Sequence, residues 1–231
     1  MADPVIEIEG LRFAWKGGAP VLDIAGFRME AGERVFLRGP SGSGKSTLLG
    51  LIAGVLQPQA GRIAVLGEDM SSLAASRRDR LRADRMGVIF QMFNLVPYLS
   101  VTGNVLLPLR FSAARREAAG DHPQAEAQRL LARLGLDDAD LLSRRVSDLS
   151  VGQQQRVAAA RALIGSPSLV IADEPTSALD ADARDRFINL LSEEVARSGA
   201  SLLFVSHDAS LASLFTRAAD LTEMNRAGVK A

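Results

Sequence analysis

Nine consecutive residues, Gly39 to Thr47, carry the clearest chemical pattern in this chain of 231 residues. They read GPSGSGKST, which fits the spacing G-x-x-x-x-G-K-[ST], and they stand between an apolar run and a helical run over 47–53. The glycines let successive backbone N–H groups curve around phosphate oxygens, and a following helix adds the positive end of its dipole. The pattern therefore predicts a phosphate-binding loop made of Gly39, Pro40, Ser41, Gly42, Ser43, Gly44, Lys45, Ser46 and Thr47.

Two side chains of this loop suit a nucleotide. Lys45 is placed to reach the β- and γ-phosphates as a point charge, and the Ser46 hydroxyl can ligate a magnesium ion. The pattern thus implies ATP together with Mg²⁺, the metal being held without a dedicated protein cage.

An acidic pair follows another apolar run. In SLVIADEPTSALD, Asp173 and Glu174 end a strand that Pro175 prevents from continuing. Asp173 would hold the magnesium, directly or through water, and Glu174 would take the proton of an attacking water or orient it. Such a pair can also be two ordinary solvent-facing acids, but the phosphate loop elsewhere in the chain favours catalysis.

The apolar runs that position these residues predict an α/β fold. Residues 35–37, 168–172 and 201–205 are short, nearly continuous apolar runs that alternate with helical stretches, a pattern typical of a parallel or mixed sheet with helices on its faces. Ligands of such sheets lie beyond the carboxyl ends of the strands. The loop from Gly39, the acidic pair, and Ser206 with His207 are therefore expected to form one site.

Residues 92–165 differ, because leucines recur there at helical spacing and no buried strand is evident. We expect a helical subdomain, with Leu130, Leu131 and Leu134 on one helix face, a cap at Gly135, and an exposed stretch over 112–128. The chain would then form a single domain over 1–231. Its nucleotide-binding core would comprise 1–91 and 166–231.

Composition narrows the function classes. Lysine and arginine number 27 and aspartate and glutamate number 27, so no global field attracts nucleic acid or an anionic membrane. The chain has no cysteine, which excludes disulfides and cysteine-based metal sites. No apolar run approaches the roughly 20 residues that span a bilayer, so a membrane role would require a partner.

A second anion-binding feature precedes a strongly helical stretch. Within LSVGQQQR, from Leu149 to Arg156, Ser150 and Gln153 have the spacing of a capping box. This arrangement leaves helix N-terminal N–H groups and Gly152 free to approach an anion. Since a phosphate loop is complete without such a feature, the sequence predicts two half-sites.

LSVGQQQR resembles the LSGGQ signature of ABC ATPases, with Val151 where glycine is commoner. Further motifs follow in the order of that family over nearly the whole chain. They are a Walker A loop at 39–47, a Q-loop glutamine at Gln91, the signature at 149–153, a Walker B strand at 169–174, a D-loop SALD at 177–180 and a switch histidine at His207.

The resemblance implies a P-loop NTPase of ABC type, with a mixed or parallel sheet flanked by helices, an inserted helical subdomain and an N-terminal antiparallel β portion. It also implies a head-to-tail homodimer in which each ATP lies between one subunit's Walker A loop and the other's signature. The implied catalytic residues are Glu174, His207, Gln91 and Lys45; the implied magnesium ligands are Ser46, Gln91 and Asp173; the implied nucleotide contacts outside the loop are Trp15, Ser150, Gly152, Gln153 and Asp180.

Two of these roles keep a competing interpretation. Trp15 is the expected ring against adenine, but Phe13 shares its alternation with Leu11 and the pattern cannot decide between them. His207 would sense the γ-phosphate, although a lone histidine at a strand end is often structural. Val151 is expected to alter packing more than phosphate contact.

By resemblance, the groove near 91–110 receives the cytoplasmic coupling helix of a multi-span permease. Gln91 lies between the apolar strand GVIF and the helical subdomain, a position that suits a coupling hinge. The apolar residues of the groove would be Met92, Phe93, Leu95, Val96 and Tyr98, although Phe93, like Phe90, is also a candidate for the core.

The stretch RMGVIFQMFNLVPYLSVTGNVLLPL resembles the branch serving lipoprotein-releasing and macrolide-exporting permeases. The chain would then lie on the cytoplasmic face of the membrane. A soluble ABC ATPase of DNA repair or of the ribosome is the alternative, but its coiled-coil or zinc insertions, or its second copy of the domain, are missing here. A clamp without hydrolysis is disfavoured by the intact Glu174 and His207.

Overall fold

The computed structural model describes residues 4–177 and 179–227. The chain forms two compact units, Met1–Arg82 with Leu203–Ala231 (unit 1) and Ala83–Leu202 (unit 2). The predicted division into a core and a helical subdomain has different boundaries and stays a prediction.

Unit 1 contains a four-stranded antiparallel sheet. In chain order, the strands are β1 (Pro4–Ala14), β2 (Pro20–Glu30), β4 (Ala60–Val65) and β5 (Glu68–Asp69), and their order in the sheet is β2-β1-β4-β5. Opposite residues such as Ile8 and Phe27 pair across β1 and β2. Ile6, Ile8 and Leu11 are almost fully buried and give the sheet one apolar face. The predicted N-terminal antiparallel portion is confirmed.

Unit 1 also contains parallel strands. β3 (Arg34–Arg38) pairs with β9 (Arg217–Asp220), and β8 (Ser201–Ser206) begins at the end of unit 2 and continues in unit 1. Phe36, Phe204 and Phe215 pack together with ring centroids 5.0–6.3 Å apart. The remaining helical elements are α1 (Lys45–Ile52), α2 (Ala75–Arg85, which runs across the unit boundary), a 3-10 turn (Ala209–Leu214) and α9 (Leu221–Met224).

Unit 2 is mostly helical around one parallel strand pair, β6 (Met86–Ile89) with β7 (Leu169–Asp173). Both strands and their flanking helices confirm the predicted α/β class. The helices are α3 (Val101–Leu106), α4 (Ala113–Ala118), α5 (Pro123–Arg133), α6 (Ala139–Ser143), α7 (Val151–Leu163) and α8 (Ala181–Ser198), with 3-10 turns at Leu107–Arg110 and Val146–Asp148.

Helix α7 is the centre of unit 2. Its small residues Ala158, Ala159 and Ala160 are fully buried, which lets α3, α5, α8 and β6 approach it. α5 confirms its predicted face, because Leu130, Leu131 and Leu134 are buried. Gly135 follows with a positive φ of 78°, the conformation that ends helices.

The expectation that 112–128 is exposed is wrong at three positions. Ser112 and Ala127 have no exposed surface and Arg115 is 2% exposed. Ser112 Oγ donates to Asp84 Oδ1 at 2.6 Å, and Arg115 Nη2 donates to the carbonyls of Met86 and Ala162. Burial lowers the pKa of Arg115 to about 10, which the charge of Asp84 only partly offsets. Composition alone does not reveal such long-range polar contacts.

Over the described parts of the chain, no helix is both long and apolar enough to cross a bilayer.

Candidate functional site

The phosphate loop lies between the end of β3 and the start of α1. Its backbone requires glycine at position 44, where φ is 98° and an added Cβ would come within 2.8 Å of Leu22 Cδ2. The first turn of α1 contains no acidic residue, so the positive end of the helix dipole is not offset locally. These features fit a bound anion.

Lys45 is anchored inside this loop. Its Nζ donates to the carbonyl oxygens of Gly39 at 2.8 Å and Pro40 at 3.0 Å, and the residue is 6% exposed. The hydroxyl of Ser43 is buried and has no hydrogen-bond partner among the described residues. Because a buried ammonium and a buried unpaired hydroxyl are costly, both suit a phosphate whose oxygens can accept from them.

Asn225 braces the loop from the C-terminal side, and the sequence analysis missed it. Its Nδ2 donates to the carbonyls of Val21 at 2.9 Å and Ser43 at 3.4 Å, and its Oδ1 accepts from the Asp23 N–H at 2.8 Å. A pocket of about 560 Å³ lies here. It is lined by Ala19, Pro20, Val21, Pro40, Ser41, Gly42, Ser43, Thr222, Asn225 and Ala227.

The structure distinguishes Trp15 from Phe13. Phe13 belongs to β1 and is 7% exposed, whereas β1 ends at Ala14 and Trp15 is 53% exposed beyond it. The two rings meet edge to face with centroids 5.1 Å apart. Phe13 therefore supports Trp15 from the core and leaves the tryptophan ring accessible to a ligand.

His207 comes directly after β8 and is exposed. The turn that follows is fixed by its neighbours, since the Asp208 N–H donates to Ser206 Oγ at 3.2 Å and Asp208 Oδ1 accepts from the Ser210 N–H at 3.0 Å. The histidine therefore projects from a rigid strand end, as the sequence predicted for this position.

In unit 2, Asp173 and Glu174 lie at the end of β7. Ile171 and Ala172 before them are buried, while both acids are partly exposed. Glu174 has a φ of 43°, a left-handed conformation that costs a non-glycine residue roughly 1–3 kcal/mol. Strain of this kind concentrates at functional sites, and here it turns the chain away from the strand immediately after Asp173.

Asp180 has a structural role that the motif did not indicate. Its side chain accepts from the Ala183 N–H at 2.8 Å and caps α8. The D-loop prediction also includes Ala178, which lies outside the described residues.

The signature begins α7 as predicted. Ser150 Oγ accepts from the Gln153 N–H at 3.3 Å, and Gln153 Oε1 accepts from the Ser150 N–H at 2.9 Å, which completes a capping box. Ser150 is exposed and Gly152 half-buried, so the helix start is accessible to an anion.

Gln91 follows β6 and is exposed. Beyond it, Met92 and Tyr98 are 82% and 75% exposed, while Phe93 is 8% exposed. Phe93 thus belongs to the core rather than to the predicted apolar surface. The expectation that Phe90 is a core residue is wrong, because 43% of it is exposed.

The predicted residues are distributed over both units. Unit 1 contains the phosphate loop, Trp15 and His207, and the structure brings the loop together with Asn225 there. Unit 2 contains Gln91, the signature and the acidic pair. Among the described residues, no group of three or more His, Asp and Glu side chains could hold a metal ion.

The chain is similar to known proteins over nearly its whole length. Over 96% of its length the chain is 42% identical to the lipoprotein-releasing system ATP-binding protein LolD of Anaeromyxobacter dehalogenans, of which it covers 92%. It is 39% identical to the macrolide export ATP-binding/permease protein MacB of Rhodopseudomonas palustris, but it spans only 34% of that longer protein.

A solved structure extends the similarity to the fold. The ATP-binding cassette MJ0796, seen as a post-hydrolysis dimer bound to ADP and Pi, has a TM-score of 0.83 and 32% identity, with 93% of each chain covered. Residues 22–177 of the present chain, from β2 through the phosphate loop and the signature to the acidic pair, match the ABC transporter family. With its motifs, fold and relatives in agreement, the chain belongs to the ABC transporter family.

Proposed function

We propose that this ABC-family ATPase dimerises around two ATP–Mg²⁺ and drives a separate membrane permease. The phosphate loop is the observation that carries the proposal. A buried ammonium, a buried hydroxyl without a partner among the described residues and an unopposed helix N-terminus all lie within residues 43–45, and a nucleotide phosphate can engage all three. Stacking of the Trp15 ring on adenine would add affinity for ATP.

Hydrolysis is assigned to the residues that the motifs place around the γ-phosphate. Lys45 neutralises charge on the β- and γ-phosphates, Glu174 orients or deprotonates the attacking water, and His207 contacts the γ-phosphate. Magnesium, held by Ser46 and, directly or through water, by Gln91 and Asp173, would supply charge neutralisation. Water adds to the γ-phosphorus as the bond to the β-phosphate oxygen breaks, which gives ADP and phosphate.

Dimerisation follows from the capped start of α7. Ser150, Gly152 and Gln153 present N–H and side-chain donors that a γ-phosphate held by a second subunit can engage. ATP would then join the two subunits, and its hydrolysis would remove the bridging group. The dimeric ADP- and phosphate-bound cassette supports this arrangement by similarity.

The membrane partner is proposed from the exposed apolar side chains after Gln91. Met92 and Tyr98 leave most of their surface uncovered, and flexible methionine adapts to a partner's shape. The similarity to LolD and MacB points to a permease of the lipoprotein-release or macrolide-export type, with this subunit on the cytoplasmic face of the membrane. A soluble role on DNA or the ribosome is the alternative.

The experiment uses Glu174→Gln, which should bind ATP but hydrolyse it about 10²- to 10⁴-fold more slowly because the base is lost. Tagged variant is purified from its native membranes with ATP in mild detergent, and bound proteins are identified by mass spectrometry. Glu117→Gln, the same chemical change at an exposed position of α4, is the matched control and should hydrolyse ATP at the parental rate.

A stoichiometric multi-span protein bound to the trapped dimer would support the proposal and identify the permease. Ribosomal proteins or nucleic acid without a permease would replace it with the soluble alternative. Parental hydrolysis by Glu174→Gln would remove the assignment of the base.

A further inference from the structure

We infer that Arg161 is a positioning residue that holds the turn after Gln91 and ties it to the signature helix. This inference rests on the proposed function. Arg161 lies near the C-terminal end of α7, which begins at the signature. Its Nη2 donates to the carbonyl of Phe93 at 2.5 Å and its Nη1 to the carbonyl of Asn94 at 2.7 Å.

The two residues that Arg161 holds have an unfavourable backbone. Phe93 has a φ of 58° and Asn94 a φ of 49°, so two consecutive non-glycine residues are left-handed. Asparagine tolerates this region, but phenylalanine rarely adopts it. Without an external restraint, this turn would relax toward ordinary conformations, which would move Gln91 and the exposed Met92 beside it.

The guanidinium group of Arg161 is well suited to hold the Phe93–Asn94 turn. Its planar fork reaches two carbonyls at once, whereas lysine has a single compact ammonium. Burial lowers the pKa of Arg161, and two carbonyl acceptors compensate a buried charge in part. Phe93, packed in the core at 8% exposure, fixes the same turn through its side chain.

A second polar anchor holds the other end of this segment. Asn104 is fully buried; its Oδ1 accepts from the Val96 N–H at 2.8 Å, and its Nδ2 donates to the Val96 carbonyl at 3.0 Å. The chain is thereby held at Phe93–Asn94 and at Val96, while Met92 and Tyr98, on either side of these anchored residues, remain exposed. Of the two anchors, only Arg161 comes from the helix that carries the signature.

Movement of α7 must therefore displace the Phe93–Asn94 turn, and displacement of the turn must act on α7. Arg161 would thus connect Gln91, the exposed residues Met92 and Tyr98 proposed to bind the permease, and the signature at the start of α7. Its loss should free the turn without removing any group that binds ATP.

The test measures hydrogen–deuterium exchange and steady-state ATP hydrolysis of the full chain with Arg161→Met. Exchange of the Phe93 and Asn94 amides, which donate to the Phe90 and Met92 carbonyls, should rise about tenfold or more. The kcat should fall about tenfold while the KM for Mg-ATP stays within about twofold, because the loop that binds ATP is unchanged. Arg161→Lys should restore part of the kcat.

Arg116→Met is the matched control. Arg116 lies in α4 of the same unit and donates from Nη1 to the Leu109 carbonyl at 3.0 Å, so its loss removes an arginine–carbonyl bond away from Gln91 and the signature. It should leave the kcat and the exchange of the Phe93–Asn94 turn at parental values. Melting temperatures of all variants show whether a rate change reflects global unfolding.

A double variant separates positioning from general weakening. If Arg161 acts through Gln91, Gln91→Ala with Arg161→Met should have the kcat of Gln91→Ala alone. Unchanged exchange at the turn, a parental kcat for Arg161→Met, or fully additive losses would each overturn the inference. Failure of the proposed function would look different: either the parent chain itself would not hydrolyse ATP, or the trapped Glu174→Gln dimer would bind no permease, and neither result depends on Arg161.

Discussion

Glu194→Gln tests an ion-pair cluster that joins α5 to α8 within unit 2. Glu194 is 3% exposed, and its two carboxylate oxygens accept from Arg129 Nη1 and Arg133 Nε, each at 2.9 Å. Arg197 approaches to 3.8 Å. Glutamine has almost the same shape, so the substitution removes the negative charge and one acceptor oxygen while it leaves the packing nearly intact.

The expected loss of stability is about 2 kcal/mol. Breaking a fully buried pair by removing one partner costs about 3–5 kcal/mol. Here the side chains of Arg129 and Arg133 are 33% and 46% exposed, so water solvates the charges left behind. Arg129 also keeps two bonds to Glu126 at 2.8 Å. A loss of about 2 kcal/mol lowers the melting temperature by about 4–8 °C in a chain of this size.

The loss should depend on pH. Burial alone raises the pKa of Glu194, but the hydrogen bonds from Arg133 and Arg129 outweigh it, and the pKa is lowered. A lowered pKa in the folded state means that the stabilisation is complete above the unfolded value of about 4.3 and disappears as the pH falls through the folded value. The parent and the variant should therefore differ at pH 7 and converge as the pH falls through the lowered folded pKa of Glu194.

Differential scanning calorimetry measures this difference on the parent, Glu194→Gln and Glu193→Gln, from about pH 8 down to about pH 3. The lower limit lies about one unit below the pKa of an unperturbed glutamate. Glu193 is the matched control, because it is 58% exposed and its ion pair among the described residues is with Arg133 Nη2, at 3.1 Å. Its substitution should cost less than about 1 kcal/mol. Equal losses for both variants, or a Glu194 effect that persists unchanged at low pH, would refute the reasoning.

Two further predictions concern nucleotide binding in unit 1. Trp15→Ala should weaken ATP binding by about 1–3 kcal/mol, the usual value of base stacking, whereas Trp15→Phe should bind ATP nearly as the parent does. Calorimetric titration of each variant with ATP measures the affinities. Parental affinity in Trp15→Ala would exclude stacking. Asn225→Asp should weaken binding about tenfold, more than Asn225→Ala, because it adds a negative charge beside the Ser43 carbonyl as well as removing the donated bond. Equal affinities of the two Asn225 variants would show that the bond matters and the charge does not.

Local spacing explains why so much of the site could be predicted from the sequence. The residues of the phosphate loop lie within ten positions of one another, and so do the two residues of the capping box at Ser150. The structure forms both motifs as expected. The same is true of the strand that ends at Asp173, whose apolar run is readable without knowledge of its neighbours.

Contacts between distant segments could not be predicted. Asn225 reaches Ser43 across 182 positions, and Arg161 reaches Phe93 across 68. Neither residue belongs to a local pattern that indicates its partner. The left-handed backbone of Glu174 was equally hidden, because glutamate has no preference for that conformation and only the surrounding fold imposes it.

Val151 fits both the backbone and the capping box at the start of α7. The family prefers glycine at this position, which would matter if the backbone required a positive φ or if a side chain blocked the helix start. Val151 is not among the residues with positive φ, and it is 49% exposed as the first residue of α7. The capping box beside it is complete, so the N–H groups at the helix start keep their geometry. We therefore expect the substitution to leave the proposed phosphate contact intact and to change the apolar surface that a second subunit would meet.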